Sequence, residues 1–225
     1  MADPGQDPIS VQRRFPSLYP VLDADLILRG LAGQDRREVL LHLTQQLTEA
    51  GVEILQYRNK RDEDSAVLTD AAAIKEAAGS MRLILNDRAA LVSAAGWDGV
   101  HLGQGDLPPR QARALLGDRA LIGLSTHNEP QVIAAGLEPV DYIAIGPVFA
   151  TTSKTDTSPV IGVEGVRRAR ALTNKPLVAI GGITRETAAS VYAAGADSMA
   201  VISAIFCAPG RSTAQSARDF LEIFK

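Results

Sequence analysis

Residues 177–203 decide the fold. Leu177-Val178-Ala179-Ile180 runs into Gly181-Gly182-Ile183-Thr184, a helical stretch continues to Ala194-Gly195, and Ser198-Met199-Ala200-Val201-Ile202-Ser203 closes the unit. Each apolar run is too short for a helix and suits a strand buried on both faces. Thr184 to Ala194 is amphipathic, and Gly195 falls where a left-handed helix cap is expected. Working outward, the same unit recurs. Strands are expected at 18–22, 52–57, 82–85, 99–102, 120–123 and 141–145, with helical segments between them such as Arg37 to Ala50, where Val39, Leu40, Leu43 and Leu47 stand near helical spacing. Ala50-Gly51 and Ala95-Gly96 repeat the cap signal. Eight alternating units predict a (β/α)8 barrel; an open doubly wound sheet stays as the alternative, because periodicity does not report closure. Either way the chemistry belongs at the C-terminal ends of the strands.

The chain has 225 residues, 46% of them hydrophobic, which is enough for one large core and one catalytic domain over 15–225. Residues 1–14, rich in Pro, Gly and charge, are expected to be mobile or to pack late. Net charge is −3, and the basic residues are interspersed with acidic ones, so no footprint for nucleic acid is expected. The single Cys207 has no partner for an internal disulfide and reads as a small, partly buried apolar residue. With neither a signal-peptide pattern nor an apolar run long enough to span a bilayer, the reading is a soluble cytoplasmic protein without a membrane partner. A homo-oligomer stays open.

The charged residues sit at strand ends. On the second strand Ile54, Gln56, Arg58 and Lys60 share parity, so the last three are expected to line one side of the barrel mouth. Two cations with no acid beside them in that run call for an anion, unless they are ordinary solvated surface residues. The third strand ends in Asn86-Asp87, and the fourth leads through His101-Leu102-Gly103-Gln104-Gly105 to Asp106. Adjacent barrel strands lie roughly 5 Å apart, so the two carboxylates can share a cation. Mg2+ fits this sparse set, since it keeps waters and takes few carboxylates plus substrate phosphate oxygens. The competing reading is that each Asp caps the following helix. Further on, Ser125 and His127 follow the fifth strand, and Thr151-Thr152-Ser153-Lys154 offers hydroxyls and a cation in a loop poor in helix formers. Gly181-Gly182 and Ile202-Ser203 follow the last two strands, the usual place of a phosphate cradle in barrels.

Taken together, these segments resemble the thiamine-phosphate synthase family from the second strand through the eighth. The family's Gln-Leu-Arg-Glu-Lys motif is matched by Gln56, Tyr57, Arg58, Asn59 and Lys60, its Asn-Asp motif by Asn86 and Asp87, and its Asp-Gly-Val-His-Leu-Gly-Gln-Glu-Asp motif from Asp98 to Asp106. The resemblance implies that Asp87 and Asp106 hold Mg2+, and that the Gln56–Lys60 segment, Asn86, Ser125 and Lys154 bind a pyrimidine diphosphate. It also implies that Thr151, Thr152, Ser153, Gly182, Ile202 and Ser203 lie near a thiazole phosphate. Three positions depart from the pattern: Asn59 replaces an acid, Gly105 replaces Glu, and Ser153 stands for Thr. None removes a metal carboxylate or a phosphate cation.

The implied reaction joins the two small substrates and releases pyrophosphate, with Arg58, Lys60, Ser125 and Lys154 as the catalytic set. Two rivals remain: a thiazole tautomerase, which has no need of a diphosphate site, and a noncatalytic regulator that binds thiamine phosphate. His101 admits two readings, a general base or a packed residue hydrogen-bonded within the mouth.

Overall fold

Burial on both faces is what turns the short apolar runs into strands, and all eight form. In the computed structural model, which describes residues 15–28, 34–151 and 158–224, they are β1 Leu18–Asp23, β2 Ile54–Arg58, β3 Arg82–Asn86, β4 Gly99–Leu102, β5 Leu121–Thr126, β6 Tyr142–Ile145, β7 Leu177–Ile180 and β8 Ser198–Val201. They pair in parallel in chain order, and β8 returns to β1, so the sheet is a closed barrel and the open alternative falls. β5 runs past its expected end through Thr126, which places Ser125 on a strand rather than in a loop. The expected mobile segment 1–14 lies outside the described residues.

Alternation along the strands divides the apolar residues into two layers. Tyr19, Val21, Ile54, Ile84, Tyr142, Ala144, Val178, Ala200 and Ile202 fill the barrel interior, and Phe15 packs against that cluster. Its ring centroid lies 4.9 Å from that of Tyr142. Leu22, Leu55, Leu85, Val100 and Ile143 point the other way, to the helices.

Helix α2, Arg36–Glu49, starts where the Asp35 carboxylate accepts from the Arg37 and Glu38 amides, and it buries Leu40, Thr44 and Leu47. Helix α8, Arg185–Ala193, carries a capping box between Thr184 and Thr187. The expected glycine caps form, with φ of +84° at Gly51, +61° at Gly96 and +101° at Gly195. Cys207 is a correction: it is exposed, because the one-turn helix α9, Ser203–Phe206, ends there. Among the described residues no helix is long and apolar enough to cross a membrane.

Candidate active site at the barrel mouth

Parity carries Gln56, Arg58 and Lys60 to the mouth, and folding supplies Arg58 and Lys60 with the acids that their own strand lacks. Strand pairing sets Asp23 of β1 beside Arg58 of β2, and the guanidinium closes an ion pair with the Asp23 carboxylate. That carboxylate is 1% exposed and also accepts from the Leu26 amide at 3.2 Å, capping the short helix α1, Ala24–Ile27. Lys60 Nζ lies 3.0 Å from Asp87 Oδ2. Each cation therefore has a carboxylate from a neighbouring strand.

Asp87 is, among the described residues, the one non-glycine with a positive φ, +63°. Asp tolerates this left-handed region better than most residues, and such backbone clusters at functional sites. Its amide is fixed by the His101 carbonyl at 2.8 Å. Its carboxyl lies within hydrogen-bonding reach of Asp106; burial and that second carboxyl raise its pKa above the ordinary carboxylate range, against the opposing pull of Lys60. Asp106 in turn accepts from the Gly103 amide at 2.6 Å.

Neither acid caps a helix. The 3-10 turn Ala89–Leu91 begins at Arg88, and α5, Pro109–Leu116, begins at Pro108, both without a side-chain cap. The capping alternative fails for both. Beside them, Asn86 Nδ2 is buried without a hydrogen-bond partner among the described residues. Among those residues no group of three or more His, Cys, Asp or Glu is placed to hold a metal ion. Two touching carboxylates with one lysine do fit a hard divalent ion that takes its other ligands from water and substrate oxygens.

Below these groups runs a chain of buried hydrogen bonds. Gln56 Nε2 donates to the Tyr19 hydroxyl at 3.2 Å, the Tyr19 and Tyr142 hydroxyls meet at 2.8 Å, and Tyr142 meets His101 Nδ1 at 3.1 Å. His101 Nε2 lies 2.8 Å from Ser125 Oγ. His101 is thus buried and hydrogen-bonded within the mouth, the arrangement that the packed reading expects. Gln104 donates to the Ser125 carbonyl at 2.6 Å and ties the β4 loop to β5. His127 Nδ1 sits 2.8 Å from the Gly146 carbonyl.

On the other side of the barrel, Thr151, Gly182, Ile202 and Ser203 line one small cavity with Gly181. Gly181 and Gly182 have φ of +106° and +61°, and a Cβ at Gly182 would lie 2.5 Å from the Ala150 carbonyl oxygen, so glycine is required for the close approach. Thr152, Ser153 and Lys154 lie outside the described residues.

Two of the anticipated binding residues are not brought to the mouth. Tyr57 has the opposite parity to Gln56 and Arg58; it faces the helices, hydrogen-bonds Asp70 and lies edge-on to Trp97 at 6.3 Å. Asn59 is buried beside it, donating to the Tyr57 hydroxyl at 3.0 Å and to Asp62 at 2.9 Å. Both brace the wall behind the site. Residues missing from the sequence-based set are Asp23, Tyr19, Tyr142 and Arg88. Arg88 Nη2 donates to the Asn59 and Asp62 carbonyls at 3.3 and 2.7 Å, and its guanidinium pairs with Asp64, so it clasps the loop that carries Lys60. Strand parity signals Tyr19 and Asp23; nothing local signals Arg88.

The class this fold and mouth define is the single-domain (β/α)8 enzyme with its polar residues gathered at the C-terminal ends of the strands. Residues 27–205 match the family model described as Thiamine monophosphate synthase, and the chain belongs to that family. It is 46% identical over 211 residues to the thiamine-phosphate synthase of Koribacter versatilis, spanning 93% of this chain and 96% of that one. It is 38% identical over 193 residues to the thiamine-phosphate synthase of Chloroflexus aurantiacus, spanning 85% of each. Among solved structures, the thiamine phosphate pyrophosphorylase from Pyrococcus furiosus superposes with a TM-score of 0.78 at 26% identity, over 92% of this chain and 94% of that one.

Proposed function

We propose that the chain joins 4-amino-2-methyl-5-hydroxymethylpyrimidine diphosphate to 4-methyl-5-(2-hydroxyethyl)thiazole phosphate, giving thiamine phosphate and pyrophosphate. One observation carries the reading: Arg58, Lys60, Asp87 and Asp106 converge on one side of the mouth, while a glycine-lined cradle stands after β7 and β8. A diphosphate site and a monophosphate site in one barrel is what the two substrates require.

In this mechanism the bond between the pyrimidine methylene carbon and the diphosphate oxygen breaks, and the electron pair leaves with pyrophosphate. The electron-rich aminopyrimidine spreads the positive charge left on the methylene. The thiazole nitrogen then supplies the pair for the new C–N bond. Arg58 and Lys60, with Lys154 by family resemblance, offset the charge growing on the departing oxygens from positions held before the reaction. Asp87 and Asp106 would hold Mg2+, which when bound supplies further charge neutralisation to the leaving pyrophosphate. Ser125, by family resemblance, offers its hydroxyl to the pyrimidine diphosphate. No protein nucleophile takes part. The partners are these small anions, and the setting we assign is cytoplasmic.

The test mixes purified protein, both substrates and Mg2+ and follows pyrophosphate and thiamine phosphate. Both products are expected in equal amounts, with loss of activity on chelation. Asp87→Ala is expected to lose about 100-fold or more in kcat/KM, since it removes half of the carboxylate pair. Thiazole isomerisation without pyrophosphate would select a tautomerase instead, and product binding without turnover a regulator.

A further inference from the structure

The hydrogen-bonded chain under the mouth has a direction, and that direction has a consequence for Ser125. Each hydroxyl owns one proton. The distances leave the donor open at both remaining links, and burial closes the choice: Gln56 donates to Tyr19, the buried Tyr19 proton has Tyr142 as its acceptor among the described residues, and the Tyr142 proton is then left for His101 Nδ1. An imidazole that accepts at Nδ1 carries its own proton at Nε2, which donates to Ser125 Oγ. Ser125 thus receives one hydrogen bond from below and has its own proton left for the mouth. Run backwards, the chain would draw the Ser125 proton onto His101 and aim bare oxygen lone pairs at an anionic substrate.

The fold builds this line on purpose-shaped ground. Strand register places His101, Gly123 and Tyr142 side by side across β4, β5 and β6. A Cβ at Gly123 would sit 2.1 Å from the Tyr142 ring, so the missing side chain there is what lets Tyr142 lie across β5 and stack on His101 at 5.6 Å and 24°. Tyr19, Tyr142, Gln56 and His101 are all buried, and burial pushes both phenols up, which keeps them protonated donors. In so dry a setting a chain of hydrogen bonds is stiff and polarised.

We infer that Tyr142, backed by Tyr19, is a positioning residue that holds His101 as the neutral Nε2–H tautomer and so turns the Ser125 hydroxyl proton toward bound substrate. This rests on the proposed function only for the identity of that substrate; the tautomer belongs to the protein alone.

The experiment is therefore split. Nitrogen-15 NMR of histidine-labelled, ligand-free protein, which has 3 histidines, reads the His101 tautomer directly, assigned with His101→Gln. The Nε2–H form is expected in the wild type, and a tautomer mixture in Tyr142→Phe, which keeps the ring over Gly123. The same variant is expected to lose about tenfold in kcat with little change in KM, since substrate still fits the mouth but meets an unoriented hydroxyl. Tyr19→Phe, one step further away, is expected to shift both readouts in the same direction by less, and it serves if Tyr142→Phe fails to fold. Finding His101 as the Nδ1–H tautomer or the imidazolium at neutral pH overturns the inference. So do phenylalanine variants whose tautomer and kcat match wild type. Absence of thiamine phosphate synthesis alongside the Nε2–H tautomer, lost in Tyr142→Phe, would instead remove the proposed reaction and leave the relay standing.

Discussion

Replacing Asp23 by Asn tests whether the mouth stores its charge as internal pairs. The carboxylate is 1% exposed and the Arg58 side chain 14%, so the pair is largely out of water. Removing one partner of a buried pair costs about 3–5 kcal/mol, chiefly by stranding the other charge. Arg58 keeps some solvent contact, which brings the expected loss down to about 2–3 kcal/mol. The Asn side chain is nearly the same shape and its oxygen still accepts from the Leu26 amide, so loss of the α1 cap does not add to this. At about 2–4 °C per kcal/mol for a chain of this size, the melting midpoint falls by about 4–12 °C. Urea unfolding with an unchanged m-value gives the free energy, and thermal melts give the midpoint. Adding pyrophosphate with Mg2+ is expected to recover more stability in the variant than in the wild type, because Arg58 then has no internal rival to the anion. A variant within about 0.5 kcal/mol of wild type would refute the reasoning, since that is the range of an unremarkable surface change.

Arg88→Ala should loosen the loop holding Lys60, raising KM for the diphosphate substrate more than it lowers kcat, at about 1–2 kcal/mol of stability; steady-state kinetics with unchanged KM would contradict the clasp. Gly182→Ala places a Cβ against the Ala150 carbonyl at a φ of +61°, so binding of thiazole phosphate by calorimetry should weaken and stability fall by about 1–3 kcal/mol; wild-type values for both would show that the cradle gives way freely. Removing Mg2+ should weaken pyrophosphate binding by about tenfold or more, and equal affinity with and without the ion would count against Asp87 and Asp106 as its ligands.

The barrel was legible because its strands are buried on both faces, so most apolar runs end within a residue or two of the strand itself, as at 99–102 and 177–180, while β5 carries on past Gly123 into the polar Ser125 and Thr126. Parity alone carried Gln56 and Arg58 correctly to the mouth. The contiguous motif misled where parity did not: Tyr57 and Asn59 are adjacent letters of one match, but alternation sends them to the opposite face of the sheet. Parity turns Asp23 toward the mouth, but its pairing with Arg58 was hidden, because that partner lies 35 residues away and meets it only across the β1–β2 pairing. The carboxylate pair could be placed from loop position, yet the left-handed backbone at Asp87 has no signature in an Asn-Asp dipeptide. Tyr142 reads as an ordinary strand aromatic until Gly123 is known to lie beside it.

These pairings also decide how charge must be handled at the mouth. Arg58 answers Asp23 and Lys60 answers Asp87, which leaves the Asp106 carboxyl pressed against that of Asp87 as the unbalanced charge. A bare diphosphate approaching this side would meet cations already answered and a carboxylate already in excess. A divalent ion held, on the proposed reading, by Asp87 and Asp106 would reverse that balance: it would relieve the repulsion between the two acids, release Lys60 from Asp87, and present net positive charge to the diphosphate. On the proposed reading the metal and the diphosphate are therefore coupled ligands, each improving the site for the other. On that reading Lys60 would change partner when the ion binds, and Arg88, holding the Lys60 loop from the residue next to Asp87, sits where a loss of alignment would be felt.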